Sequence, residues 1–294
     1  MPRARVATGM DLEYDTCGSP ADPALLLIMG FTAQMTLWQD GFCKMLADQG
    51  LFVIRFDNRD CGLSTKLDGV AVELDKVIGA ALSGQPVPPV PYTLSDMAAD
   101  AVGLLDALGI EHAHIMGASM GGMIAQTVAI EHPARTASLT SIMSMPGEPE
   151  VGQPSPEAAA ALLAPPPTER QAYIDASPSW MVWQSKKYRD EDLTRRQAAA
   201  DYDRSFYPEG APRQLAAIYA SGARTEGLAA LDVPALVIHG MDDTLITPSG
   251  GFRTAELIPG SVLLYVADMG HDMPEPLWPF LVDVIAAHVR RAEG

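Results

Sequence analysis

The 294-residue chain is poor in cations: 20 Lys+Arg stand against 37 Asp+Glu, and 20 − 37 gives a formal charge of −17. Phosphate backbones and anionic bilayer surfaces both require a positive field, so neither nucleic acid nor a membrane surface is expected as a partner. Long hydrophobic runs are missing too. Stretches such as Leu25 to Gly30 fall far short of the ~18–20 residues that span a bilayer. The opening MPRARVATGMDLEYDTCG has early arginines but no apolar centre, so no secretory leader is expected. Cysteine is scarce: Cys17, Cys43 and Cys61 are odd in number and lack CxxC spacing. That excludes a disulfide framework or zinc knuckle and points to a reducing cytoplasm. With 48% apolar and 19% charged residues, the composition is that of a packed globular chain and not a disordered one.

What is present is a rhythm. Short apolar runs recur at Ala24–Met29, Leu51–Phe56, Ala113–Met116, Ala137–Met143, Ala235–His239 and Val262–Val266. Without polar alternation, they read as strands buried on both faces of a parallel sheet. Helical patterns fill the gaps. Leu94, Met97, Ala98, Ala101, Leu104, Leu105 and Leu108 share one spacing, with Thr93 and Asp96 as a cap and Gly109 as a stop. Met120 to His132, closed by Pro133, reads as another helix. The expected fold is therefore α/β, a mostly parallel doubly wound sheet. The Pro-rich segment 83–92 is expected to be a loop. Residues 146–224 break the strand rhythm and read as a helical cap inserted into a core formed by 1–145 and 225–294. The cap would sit over the carboxyl edge of the sheet, where ligands bind in open α/β folds. Its Trp180, Met181, Trp183, Phe206 and Tyr207 are candidates to line an apolar substrate pocket, or alternatively to form the cap's own core.

The chemistry centres on Gly117-Ala118-Ser119-Met120-Gly121, which follows one strand and opens a helix. A bare G-x-S-x-G is weak evidence, but a strand-to-helix turn this tight calls for small flanking residues and lifts the serine hydroxyl above the sheet. Ser119 is thus the candidate nucleophile, with the Met120 backbone N–H as one oxyanion donor. The alternative is a Gly-rich turn with a capping serine. A hydroxyl needs a base, and of six histidines His271 is best placed, on the loop Asp268-Met269-Gly270-His271-Asp272 after the last run. His114 and His239 fall inside strands and read as core; His112, His132 and His288 sit on a loop, a helix end and the C-terminal helix. The His112/His114 pair has no third ligand in sight, so no metal is expected, and no phosphate-cradling glycine motif implies a nucleotide cofactor. A third member must orient the imidazole. Asp243 is favoured, Asp242 is the close alternative, and Glu148 and Glu150 are more distant ones. Gly30, after the first run, allows the Phe31 N–H to serve as the second oxyanion donor, though a plain turn glycine is the other reading.

The order of strands with GASMGG, VIHGMDD and MGHDMPEP resembles the α/β-hydrolase fold with a helical cap, in which the triad runs Ser, Asp, His along the chain. PALLLIMGFTAQMTLW followed by FVIRFDNRDCGLST is similar to the aclacinomycin methylesterase branch and related bacterial carboxylesterases. The resemblance covers the core and is weak in the cap. It implies Ser119 as nucleophile, His271 as base, Asp243 as acid, and Phe31 and Met120 as oxyanion donors. It also implies a cofactor-independent serine esterase acting on a small-molecule ester. Met29 stands where wider relatives carry histidine, which fits the methylesterase branch. Asp60 replaces the usual glycine of a D-x-R-G-x-G-x-S loop. Ser119 argues against the dehalogenase and epoxide hydrolase branches, which place aspartate there. Lactone opening, C–C cleavage and perhydrolysis use the same residues and remain alternatives, as does a ligand receptor on the same scaffold. Oligomeric state stays open at this point. Asp40, Asp57, Asp60 and Asp68 are expected to serve turns and caps.

Overall fold

The computed structural model describes residues 2–294. The elements in chain order are β1 (Arg3–Arg5), β2 (Asp11–Cys17), β3 (Ala24–Ile28), α1 (Asp40–Ala47), β4 (Phe52–Phe56), α2 (Leu74–Leu82), α3 (Leu94–Ala107), β5 (Ala113–Ala118), α4 (Met120–Glu131) and β6 (Thr136–Ile142). Then follow α5 (Pro156–Leu163), α6 (Arg170–Ala176), α7 (Glu191–Ser205), α8 (Ala211–Ser221), α9 (Thr225–Ala229), β7 (Ala235–Gly240), α10 (Ser249–Leu257), β8 (Val262–Val266) and α11 (Trp278–Glu293).

The strands form one sheet in the order β1-β2-β4-β3-β5-β6-β7-β8. From β4 to β8 every pairing is parallel; β1–β2 and β2–β4 are antiparallel. The β1/β2 hairpin carries too many polar residues to register as a buried run, which is why the expected strand set lacks it. The six expected strands are all present, each within a residue or two of its expected bounds. One expectation fails. β8 is not buried on both faces: Val262 and Tyr265 are 43% and 41% exposed. As the last strand it has a neighbour on one side only, and its apolar run belongs to a sheet edge.

Alternation along the central strands divides the core. Leu26 and Ile28 of β3 pack with Leu94, Met97 and Ala101 of α3 and Ile124 of α4, while Leu25 and Leu27 face Phe42 and Leu46 of α1 and Leu281 and Ile285 of α11. These four β3 side chains are fully buried. Burying one such leucine or isoleucine contributes about 1.5–3 kcal/mol. Thr93 and Asp96 form the expected reciprocal cap of α3, and Gly109 beyond its end takes the left-handed φ of +70°. α4 stops at Glu131, one residue before the expected end at His132.

The topology fixes where the site lies. From β3 the chain moves outward to β4, then crosses back over β3 to β5, so the connection direction reverses between β3 and β5. In open α/β folds such a reversal marks the carboxyl-edge position where ligands bind. The register Ile28↔Gly117 puts Gly30 level with Ser119 across it. Between β6 and β7 the chain inserts α5–α9. No helix among the described residues is long and apolar enough to cross a membrane.

Candidate active site

Backbone strain gathers on this edge. Five non-glycine residues have φ between 41° and 62°: Thr32, Asp60, Ser119, Met143 and Asp268. They follow β3, β4, β5, β6 and β8 respectively. Left-handed backbone is disfavoured for L-residues and persists where the surroundings over-determine it, as at functional sites.

Ser119 has φ 58° and ψ −124°. Its N–H donates to the Ile142 carbonyl at 3.0 Å, and its own carbonyl accepts from Gly122 N–H at 2.9 Å and Ser144 Oγ at 2.9 Å. The flanking glycines are required by space and not by φ. A β-carbon on Gly117 would lie 2.0 Å from the Gly121 carbonyl oxygen, and one on Gly121 would lie 2.1 Å from the Ile28 carbonyl oxygen. The N-terminus of α4 is therefore pressed against the ends of β5 and β3. This leaves the Ser119 side chain half-exposed at the helix start.

Asp243 and His271 meet. The His271 Nδ1–H donates to Asp243 Oδ2 at 2.8 Å. The Asp243 carboxylate is fully buried, and its Oδ1 accepts from the Leu245 and Ile246 amides at 2.9 and 3.0 Å. Burial alone would raise its pKa; the adjacent His271 and His239 imidazoles outweigh burial and hold it below the usual carboxylate range. Asp242, the alternative acid, instead pairs with Lys186 at 3.1 Å. Glu148 is bound to Arg253 at 2.7 Å, whose guanidinium lowers its pKa despite some opposing desolvation. The Ser119 hydroxyl makes no hydrogen bond to His271 or to any other described residue.

The two proposed oxyanion amides are available. Neither Phe31 N–H nor Met120 N–H donates to a described residue. The Phe31 loop is braced on every side. Asn58 Nδ2 donates to the Met29 carbonyl at 2.8 Å, Asp57 Oδ1 accepts from Met35 N–H at 2.8 Å, and Gln214 Oε1 of α8 accepts from Thr32 N–H at 2.8 Å.

One expectation needs correction. Asp57 and Asp60 are not only turn residues. Asp57 binds Arg204 of α7 at 2.8 Å, and Asp60 forms a bidentate pair with Arg213 of α8, both bonds 2.8 Å, while accepting from Tyr92 Oη at 2.8 Å. Asp68 likewise accepts from Tyr207 Oη at 2.8 Å, and Asp40 pairs with Arg55 at 2.6 Å. The inserted helices are thus anchored to the β4 loop by buried charge. Among the aromatic candidates, Phe206 stacks on Tyr202 at 4.6 Å and Trp180 lies edge-on to Tyr173 at 5.3 Å, so these rings largely pack on each other. Tyr207 belongs to the Asp60–Arg213 anchor, through a 2.9 Å bond from Arg213. Met181 and Trp183 are half-buried, and the Trp183 carbonyl accepts from His271 N–H at 2.7 Å.

Sequence reasoning missed three supporting groups. His239, read as core, is fully buried, but its Nε2 also lies 3.4 Å from Asp243 Oδ2 while donating to the Ile246 carbonyl at 2.8 Å. Its i, i+4 spacing to Asp243 was the available signal. Asp272 accepts from Gly270 N–H at 3.1 Å and Ser185 N–H at 2.9 Å; burial pushes its pKa up to about 6 against the pull of those amides. Ser185, in the insertion, gave no sequence signal.

A serine on a strained turn after β5, with an Asp–His pair on the loops after β7 and β8 at the same carboxyl edge of a parallel sheet, defines an α/β-hydrolase architecture. The chain belongs to the α/β-hydrolase family, whose model, described as alpha/beta hydrolase fold, matches residues 23–275. It is 29% identical to rhodomycin D methylesterase DauP of Streptomyces sp. (strain C5), over 94% of this chain and 93% of that one. Its fold is similar to the enol-lactonase from Burkholderia xenovorans LB400, with TM-score 0.75 and 24% identity over 98% of this chain and 100% of the other. It is also similar to the esterase RhEst1 from Rhodococcus sp. ECU1013, with TM-score 0.75 and 22% identity over 98% of each.

Proposed function

We propose that this protein is a cofactor-independent serine carboxylic-ester hydrolase in which Ser119, His271 and Asp243 act as a triad. The observation that carries the reading is the 2.8 Å bond from His271 to the buried Asp243 on the strand edge that also bears the strained Ser119. Ser119 Oγ attacks the ester carbonyl carbon while His271 Nε2 takes its proton. The Ser119–His271 hydrogen bond forms with substrate bound, since catalytic hydrogen bonds are often long before the substrate complex. Asp243 holds the imidazole tautomer and stabilises its protonated form. The Phe31 and Met120 amides take the developing oxyanion. His271 then protonates the leaving alcohol, completing the acyl-enzyme. A water that gives its proton to His271 attacks the acyl carbonyl, the acid departs, and Ser119 recovers its proton.

Residues 146–224 are proposed as a cap on a core of 1–145 and 225–294, with Met181 and Trp183, backed by the ring cluster that holds Trp180 and Phe206, shaping an apolar site for a small to medium ester, and Tyr207 serving the anchor of the cap. The methylesterase relative supports a methyl ester as the specific case. The unpaired Cys17, Cys43 and Cys61 fit a reducing, cytoplasmic location. Turnover of p-nitrophenyl acetate and butyrate by wild type and Ser119→Ala tests the reading: the substitution is expected to abolish turnover, and equal rates would refute it.

A further inference from the structure

We infer that Ser185 is a positioning residue, which through Asp268 and Asp272 sets the register of the loop that carries His271. The inference rests on the esterase reading. Ser185 is fully buried, and each of its polar groups is engaged. Its N–H donates to Asp272 Oδ1 at 2.9 Å, its Oγ donates to the Asp268 carbonyl at 2.6 Å, and the same Oγ accepts from Tyr188 N–H at 3.0 Å. One side chain of the insertion therefore grips the histidine loop, and one backbone amide grips it again, on either side of His271. Between those grips His271 N–H donates to the Trp183 carbonyl at 2.7 Å.

The fit is close. A β-carbon on Gly270 would stand 2.4 Å from the Trp183 carbonyl oxygen and 2.6 Å from Ser185 N. The glycine before His271 is thus demanded by the approach of the inserted segment. Asp268, whose carbonyl Ser185 holds, has φ 60°, a strained conformation that needs outside support. The same segment also reaches the acid loop: Thr244 Oγ1 donates to the Val182 carbonyl at 3.0 Å, and Lys186 pairs with Asp242 at 3.1 Å. Residues 182–186 consequently fix both loops whose alignment brings His271 to Asp243. A 1 Å misplacement of a general base costs up to about 10²-fold in rate, so loss of this grip reads out in kcat before substrate affinity.

The test compares Ser185→Ala, Asp272→Ala, Asp272→Asn, Lys187→Ala and Ser119→Ala on p-nitrophenyl butyrate, with thermal unfolding of each. Lys187 makes an exposed ion pair with Asp268 at 2.7 Å and serves as the control contact between the same segments. Ser185→Ala and Asp272→Ala are expected to lower kcat roughly tenfold or more with KM within about twofold. Asp272→Asn, which keeps the Oδ1 acceptor, is expected to recover most of kcat, and Lys187→Ala to match wild type. Should Ser185→Ala not fold, Ser185→Cys, which gives up the short hydroxyl bond to the Asp268 carbonyl and leaves the backbone bond to Asp272, decides by the same criterion. Unchanged kcat in a folded Ser185→Ala, a rise in KM alone, or equal loss in both Asp272 variants overturns the inference. Wild-type turnover by Ser119→Ala would instead overturn the esterase reading beneath it.

Discussion

A β-carbon built on Gly30 would lie 2.9 Å from the Ser119 β-carbon. The Phe31 loop and the Ser119 turn are in van der Waals contact, and only hydrogen at Gly30 lets them meet. Gly30→Ala is therefore expected to fold, because Gly30 has ordinary negative-φ or extended backbone and the added methyl displaces a loop and not the core. Displacing the Phe31 amide is expected to lower kcat by roughly 10²–10³, the usual effect of losing one oxyanion donor. Steady-state kinetics with p-nitrophenyl butyrate, beside a thermal melt, check both halves.

The acid is assigned by a pair of substitutions. Asp243→Asn keeps the shape but leaves the imidazole without its charged partner, and a loss of roughly 10³–10⁴ in kcat is expected. Asp242→Asn removes only a partly exposed pair with Lys186, worth at most ~1 kcal/mol, and is expected to keep near wild-type kcat. The reverse pattern would move the acid role to Asp242.

Asp60 presents two opposed effects. Its φ of 62° would be relieved by the family's glycine, a gain of at most ~1–2 kcal/mol. Yet the same change strands the buried Arg213 guanidinium, and breaking a buried pair from one side costs about 3–5 kcal/mol. The larger effect decides: Asp60→Gly is expected to destabilise the protein, read as a lower denaturation midpoint in urea. An unchanged or raised midpoint would show the pair to be weak.

Acid sensitivity follows from His288. Burial lowers its pKa from 6.5 to about 4, with its ring near the Leu139 carbonyl only partly opposing the drop. The unfolded chain then binds the extra proton first, so the contribution is complete above pH 6.5 and is lost as pH falls from 6.5 toward 4. At its limit the loss is on the order of 3 kcal/mol. His288→Gln is expected to flatten stability over that window, measured by urea unfolding at several pH values; an unaltered slope would contradict it.

Much of this was legible in the sequence because parallel strands buried on both faces cannot alternate. The runs at β3 to β7 announced themselves, and a Gly-flanked serine between a strand and a helix has few other uses. What stayed hidden was set by contacts distant along the chain. The β1/β2 hairpin is too polar to register. The edge position of β8 depends on sheet order, not on the apolar content of Val262–Val266. Asp57 and Asp60 looked like turn residues because their partners, Arg204 and Arg213, lie some 150 positions away in the chain. Ser185 is one serine in a helical insertion until its neighbours are known. The meeting of His271 and Asp243 was foreseeable because strand ends bring their loops together by topology; the contacts of His239, Asp272 and Ser185 around them were not, because packing does that.

The central claim is that Ser119 is the reactive hydroxyl. Labelling with a fluorophosphonate, followed by mass spectrometry of the modified peptide, tests it most directly. The account predicts a single adduct on Ser119, absent in Ser119→Ala and slowed in His271→Ala. An adduct on any other residue, or labelling that persists in Ser119→Ala, would contradict it.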